Sequence, residues 1–135
     1  MNITYDQQTI GLITMFEKLT GTSVKNCHKD SSIVFIVKEG DIGKAIGKNG
    51  KNVQRLTNII KKPIRIVEYS EDPVQFVKNL TRNTNSKIYK AESGEIIIEP
   101  ATSKDKGIIF GRDKKNLKYL QDLVAQHHKT TLTVK

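Results

Sequence analysis

Gly47-Lys48-Asn49-Gly50 is the run whose residue types and spacing best suit a chemical task. Two glycines flank a polar, basic dipeptide, so no Cβ hinders the approach of another chain to the backbone. If a helix starts just after Gly50, its unpaired N–H groups and positive dipole end favour a nearby anion by about 0.3–1 kcal/mol. Lys48 adds a mobile charge, with Lys44, Lys51 and Arg55 on either side. A phosphodiester is the natural ligand of such a turn. A related run, Gly111-Arg112-Asp113-Lys114, is followed by Lys115. Its last glycine is replaced, and Asp113 puts a negative charge where a phosphate would sit.

Other chemistries find less support. Gly43-Lys44-Ala45-Ile46-Gly47-Lys48-Asn49 falls one residue short of a nucleotide-binding P-loop and has Asn49 where that loop needs Ser or Thr. A dinucleotide fingerprint of three correctly spaced glycines after a strand is absent. Cys27-His28 and His127-His128 lack metal-ligand spacing on one element, so no metal or cofactor is expected. The acids are dispersed and no nucleophile stands by a base, so the chain is read as non-catalytic.

Charge supports a polyanionic partner. The 135 residues carry 23 Lys plus Arg against 14 Asp plus Glu, a net charge of +9. The excess sits in two windows: residues 38–65 hold eight bases and two acids, and residues 104–135 hold eight bases and three acids. Lys-rich windows also describe solvated helix faces, but these two are related to each other. The length suits one domain or two small ones. A single cysteine excludes an internal disulfide and points to a reducing setting. No apolar run approaches a membrane span and the start lacks a secretory leader, so a cytoplasmic location without membrane contact is expected.

A shift of 64 residues superposes Gly43 on Gly107, Gly47 on Gly111, Lys51-Asn52 on Lys115-Asn116, Val53 on Leu117, Leu56 on Leu120, Ile59 on Leu123 and Ile60 on Val124. The apolar pairs trace the core-facing stripe of one helix in each copy. Alternating segments follow at Ile64 to Val67 and Thr131 to Val134, the second about three residues later than the shift requires. Strands are expected before each turn, at Ser32 to Val37 and Glu95 to Glu99. Weaker ones precede them around Ser23 to His28 and Ser86 to Ala91, joined by Lys29-Asp30-Ser31 and Glu92-Ser93-Gly94. Helical patterns open the copies, Tyr5 to Leu19 with Leu12, Ile13, Phe16 and Leu19 inward, and Pro73 to Thr84 with Val74, Val77 and Leu80 inward. Each copy therefore reads α-β-β-α-α-β.

Ile46-Gly47-Lys48-Asn49-Gly50, between a short helix and an apolar helix and echoed in a second copy, resembles the GxxG signature of the KH family, whose modules clamp about four single-stranded nucleotides. The eukaryotic-type order would need a further strand and helix after Val134, whereas the sequence stops at Lys135. The expected fold is α+β, with two tandem type II (prokaryotic-type) KH domains over residues 1–69 and 70–135, each with a three-stranded sheet. The junction from Ile64 to Leu80 is similar to the segment joining the KH pair in the NusA family of transcription termination and antitermination factors. Bacterial members carry an N-terminal polymerase-binding domain and an S1 domain ahead of the pair; this chain resembles the shorter archaeal form. The resemblance implies a single-stranded RNA-binding factor acting on nascent transcripts, with RNA polymerase as a further partner. It further implies Ile42, Ile46 and Val53 as an apolar floor, and Ile66 and Arg65 at the sheet edge. For the second copy two readings stay open: Gly111, Arg112, Lys114 and Lys115 grip RNA more weakly or differently, with Lys106 and Lys118 supplying charge, or the copy chiefly braces the first. Alternatives for the whole chain are a KH protein of ribosome assembly or RNA processing, and a protein-interaction module on the same scaffold.

Overall fold

A computed structural model describes residues 6–29 and 32–135 of the chain. Tyr5, Asp30 and Ser31 lie outside the described residues, and with them the expected start of the first helix and part of the first hairpin turn. The chain divides into two compact units between Ser70 and Glu71.

The first unit runs α1 (Gln7–Thr20), β1 (Val24–Lys29), β2 (Ile33–Val37), α2 (Ile42–Ile46), α3 (Lys51–Ile60) and β3 (Ile64–Glu68). Asp6 caps α1 by accepting the Thr9 N–H at 2.7 Å, and Gly21 ends it in the left-handed region. The sheet order is β1-β2-β3, with β1 antiparallel and β3 parallel to the central strand, so that Phe35 stands between Cys27 and Ile66. Every residue of β2 is buried, which suits a central strand of unbroken Ile, Val and Phe. Beneath the helices Phe16 stacks on Phe35 at 4.2 Å, among Cys27, Ile33, Val37, Ala45 and Leu56. Leu12, Ile13 and Leu19 pack against this cluster half-buried.

The second unit repeats the order: α4 (Pro73–Leu80), β4 (Ser86–Lys90), β5 (Ile96–Pro100), α5 (Ser103–Phe110), α6 (Lys115–His128) and β6 (Leu132–Val134). Its sheet, β4-β5-β6, pairs antiparallel then parallel, with Ile98 between Ile88 and Val134. Asp72 caps α4 and Pro73 takes its first turn. Val77 and Leu80 face inward as expected, joined by Phe76 and Asn79, while Val74 is half-buried.

Three expectations need correction, and one open alternative, a longer helix or a longer turn in the second copy, is resolved. The helix from Pro73 stops at Leu80, because Thr81 and Thr84 bond back to the Val77 and Thr81 carbonyls and fold residues 81–84 into a turn. Lys29 belongs to β1, where it pairs with Ile33. The late arrival of β6 comes from the helix: α6 has 14 residues and α3 has 10, while three residues separate helix from strand in both units. Ile59, expected inward like Leu123, is 55% exposed, while Ile60 beside it packs against the core.

Candidate nucleic-acid interface

Each unit connects its two middle helices by the same backbone. Gly47 (φ 78°, ψ 166°) and Gly111 (φ 68°, ψ −178°) lie where only glycine is at ease. Then come single 3-10 turns, Lys48–Gly50 and Arg112–Lys114. Within them Asn49 and Asp113 are left-handed at φ 56° and 55°, and Gly50 and Lys114 at φ 72° and 60°.

The two glycines of the first turn have different duties. A Cβ on Gly47 would stand 2.9 Å from the Asn52 side chain and 3.2 Å from its backbone N, whereas one on Gly50 would meet nothing within 4 Å. The chain itself, through Asn52, uses the close approach at Gly47. Asn52 Nδ2 donates to the Lys44 carbonyl at 3.2 Å and so ties the end of α2 to the start of α3. Asn116 does likewise in the second unit, donating to the Ile109 carbonyl at 2.8 Å. Sequence reasoning missed this bracing role, although the signal was present in the superposed Lys51-Asn52 and Lys115-Asn116.

The turn spends most of its amides internally. The N–H groups of Gly47, Gly50 and Lys51 donate to the carbonyls of Gly43, Gly47 and Lys48. Those of Lys48 and Asn49 donate to no group among the described residues, and they sit on an exposed corner. One turn back on α2, Gly43 is also exposed, with open space where a Cβ would be, and Gly107 matches it on α5. Two outward N–H donors beside a Cβ-free helix face offer an anion a close backbone seat.

The remaining expected residues disperse around this corner. Lys44, Lys48 and Lys51 are exposed, and the Lys44 stem lies near Gly21 at the end of α1. Ile46 is 36% exposed; Ile42 and Ile66 pack half-buried against the core, and Val53 is half-buried. Arg65 is half-buried on β3, in register with Val34. Arg55 stands apart, lining a depression between α1 and α3. In the second unit Arg112, Lys114 and Lys115 are exposed, and the Lys106 and Lys114 ammonium groups lie 5.6 and 5.7 Å from the Phe110 ring centre. Among the described residues no group of three or more His, Cys, Asp and Glu could hold a metal ion, and no helix is long and apolar enough to cross a membrane.

The KH domain family matches residues 13–85, which include the first turn and stop before the second. A "Probable transcription termination protein NusA" of Methanococcus vannielii is 49% identical over 81 residues, which are 59% of this chain and 47% of that protein. The protein of the same name from Methanocaldococcus jannaschii is 32% identical over 123 residues, covering 88% of this chain and 67% of its own. The chain thus spans about half to two thirds of the length of these relatives. The crystal structure of APE1850 superposes with a TM-score of 0.64 at 25% identity, covering 97% of this chain and 100% of that one. On these matches the chain belongs to the KH domain family, among the archaeal NusA-like proteins.

Proposed function

We propose that the chain is a non-catalytic, single-stranded RNA-binding factor that acts on nascent transcripts in termination or antitermination, and that its two units are tandem type II KH domains, residues 1–69 and 70–135. The observation that carries the reading is the pair of uncommitted N–H groups at Lys48 and Asn49, flanked by Lys44, Lys48 and Lys51 and by the bare α2 face at Gly43. A phosphate of an unpaired strand accepts from these donors, the lysines neutralise its neighbours, and the strand crosses α2 where a side chain would hold it off. Ile46, partly exposed beside the turn, supplies apolar surface for a base. RNA polymerase is the further partner that the names of the relatives suggest.

The test replaces Lys48 and Asn49 together with Asp and titrates a short unstructured RNA, after circular dichroism has shown unchanged folding. Affinity should fall by at least about tenfold, as charge-assisted contacts turn repulsive. Undiminished binding would refute the role of the turn. In the unaltered chain the log-log salt dependence should have a slope of about −3 if one turn grips four phosphates, and nearer −5 if both units bind. An affinity indifferent to salt would show the wrong driving force. Co-purification with RNA polymerase rather than with ribosome precursors tests the transcriptional setting.

A further inference from the structure

We propose that the depression between α1 and α3 of the first unit is a docking groove for an acidic, amphipathic helix of a partner protein. It is built from Leu12, Met15, Leu19, Ile59 and Ile60, with Gly11 at its centre, shared by both ends. Ile59 is among the most exposed large apolar residues, together with Ile10, which adjoins Gly11 in the chain. Gly11 is the second observation. Glycine weakens the interior of a helix relative to alanine, yet a Cβ here would meet nothing within 4 Å, so no packing among the described residues calls for its absence. A bare helix surface beside exposed aliphatics lets another helix lie close, anchored by apolar residues at i, i+3, i+4 and i+7.

Charge selects the occupant. Lys18 and Arg55 line one end and Lys29 and Lys62 the other, and among the described residues no carboxylate lines either. Lys29 already bonds Gln8 and Asp6, whereas neither Lys18, Arg55 nor Lys62 pairs with a carboxylate among the described residues. Glu and Asp on the flanks of an incoming helix would meet these cations, which favours encounter and fixes orientation. RNA fits less well. Among the described residues no aromatic ring lines the groove to stack a base, and Ile59 lies nine residues along α3 from Gly50, about 13 Å of helix rise from the turn. A second copy fits less well too, because a two-fold contact through this face would set the cations of one copy, which stand at both ends, against those of the other.

The probe is a fluorescein-labelled helical peptide of about 18 residues, with Leu at i, i+3, i+4 and i+7 and Glu elsewhere, titrated against the whole chain in about 0.1 M salt. The comparisons are a scrambled peptide of the same composition and one with Lys for Glu. The acidic amphipathic peptide should bind at least about tenfold tighter than either. Gly11→Leu, which fills the groove from an exposed position, should weaken it about tenfold, and Lys18→Glu about fivefold. Both variants should keep their circular dichroism and their RNA affinity, which distinguishes failure of this groove from failure of the turn. Equal binding of the scrambled peptide, no binding of any acidic peptide, or indifference to Gly11→Leu would overturn the proposal. So would loss of RNA affinity in Gly11→Leu, which would make the groove an RNA path, or a dimer in sedimentation that Ile59→Ser dissociates.

Discussion

The two turns keep one backbone with different side chains, and the positions that differ are those where physics permits it. Gly47 and Gly111 combine a positive φ with an extended ψ, a region closed to residues with a Cβ. Glycine stands in both. Gly50 and Lys114 are left-handed helical, which an L-residue tolerates for about 1–2 kcal/mol. There glycine stands in one turn and lysine in the other. Asn49 and Asp113 share the same tolerance, and both are residues that favour it. Shape is thus held by one glycine and one bracing asparagine per turn, while the charge on the corner is free to change. The second turn retains the backbone of the first, with its Arg112 and Asp113 N–H groups uncommitted among the described residues, but carries a carboxylate at its corner.

The largest effect should come from challenging the shared glycine. Gly47→Ala and Gly111→Ala each add a Cβ in a strained region, which costs about 1–3 kcal/mol before any clash is counted. The clash differs between them. At Gly47 the new carbon meets the tip of Asn52, which can swing aside at the expense of its bond to Lys44; at Gly111 it stands 2.7 Å from the Asn116 Cβ, which cannot move without the helix. Gly111→Ala should therefore destabilise its unit more, by about 3 kcal/mol against about 2, as read by urea unfolding. Cys27 offers a local readout for the first unit. Burial pushes its thiol up to about 11, so at pH 8 it stays protonated and shielded, and labelling by a disulfide reagent reports opening of that unit. A silent Gly111→Ala would mean that the second turn has no need of the first one's backbone.

Most of this architecture was legible because two signals agreed. The 64-residue repeat doubled every weak local pattern, and the apolar stripe of each helix gave its core face. What stayed hidden had physical causes. α6 ends on Lys129 in the left-handed region with no glycine or proline to mark the stop, whereas Pro63 follows the end of α3 at Lys61, so the four extra residues of α6 could not be apportioned between helix and turn. Ile59 carried the same periodicity as Leu123, yet it is exposed where Leu123 is buried, a difference in surroundings that periodicity does not encode. In the candidate site, glycine spacing named the corner but not which glycine served the chain and which the solvent. That distinction depends on where the Asn52 side chain goes, a fact of three dimensions. Arg55 is near the turn in sequence, and α3 places it in a depression that α1 residues line.

An exchange of the final turn residues should have a middling effect. The Cβ of Gly50→Lys would meet nothing within 4 Å, so its cost is the left-handed preference, about 1 kcal/mol, partly offset by the lower entropy of the unfolded chain. Its RNA affinity should fall about fivefold, since a long side chain now stands over an open face. Lys114→Gly should stabilise the second unit by up to about 1 kcal/mol. Should Gly50→Lys bind RNA as well as the parent chain, glycine at this position would serve only the fold, and the second turn could not be called impaired by its lysine.

The smallest change isolates charge from shape. Asp113→Asn leaves the φ of 55° with a residue that suits it and gives the second turn the residue found at Asn49 in the first, so stability should move by less than about 0.5 kcal/mol. Removing one negative charge at the seat of a phosphate should strengthen RNA binding by about two- to threefold at low salt, and the gain should shrink as ionic strength rises and screens the exposed corner. The reciprocal Asn49→Asp should weaken binding by a similar or larger factor, because it sets a carboxylate beside the two N–H groups proposed to hold a phosphate. If Asp113→Asn left affinity unchanged at every salt concentration while Asn49→Asp reduced it, RNA would not visit the second turn at all, and that unit would serve as a brace that has kept its backbone after losing its ligand.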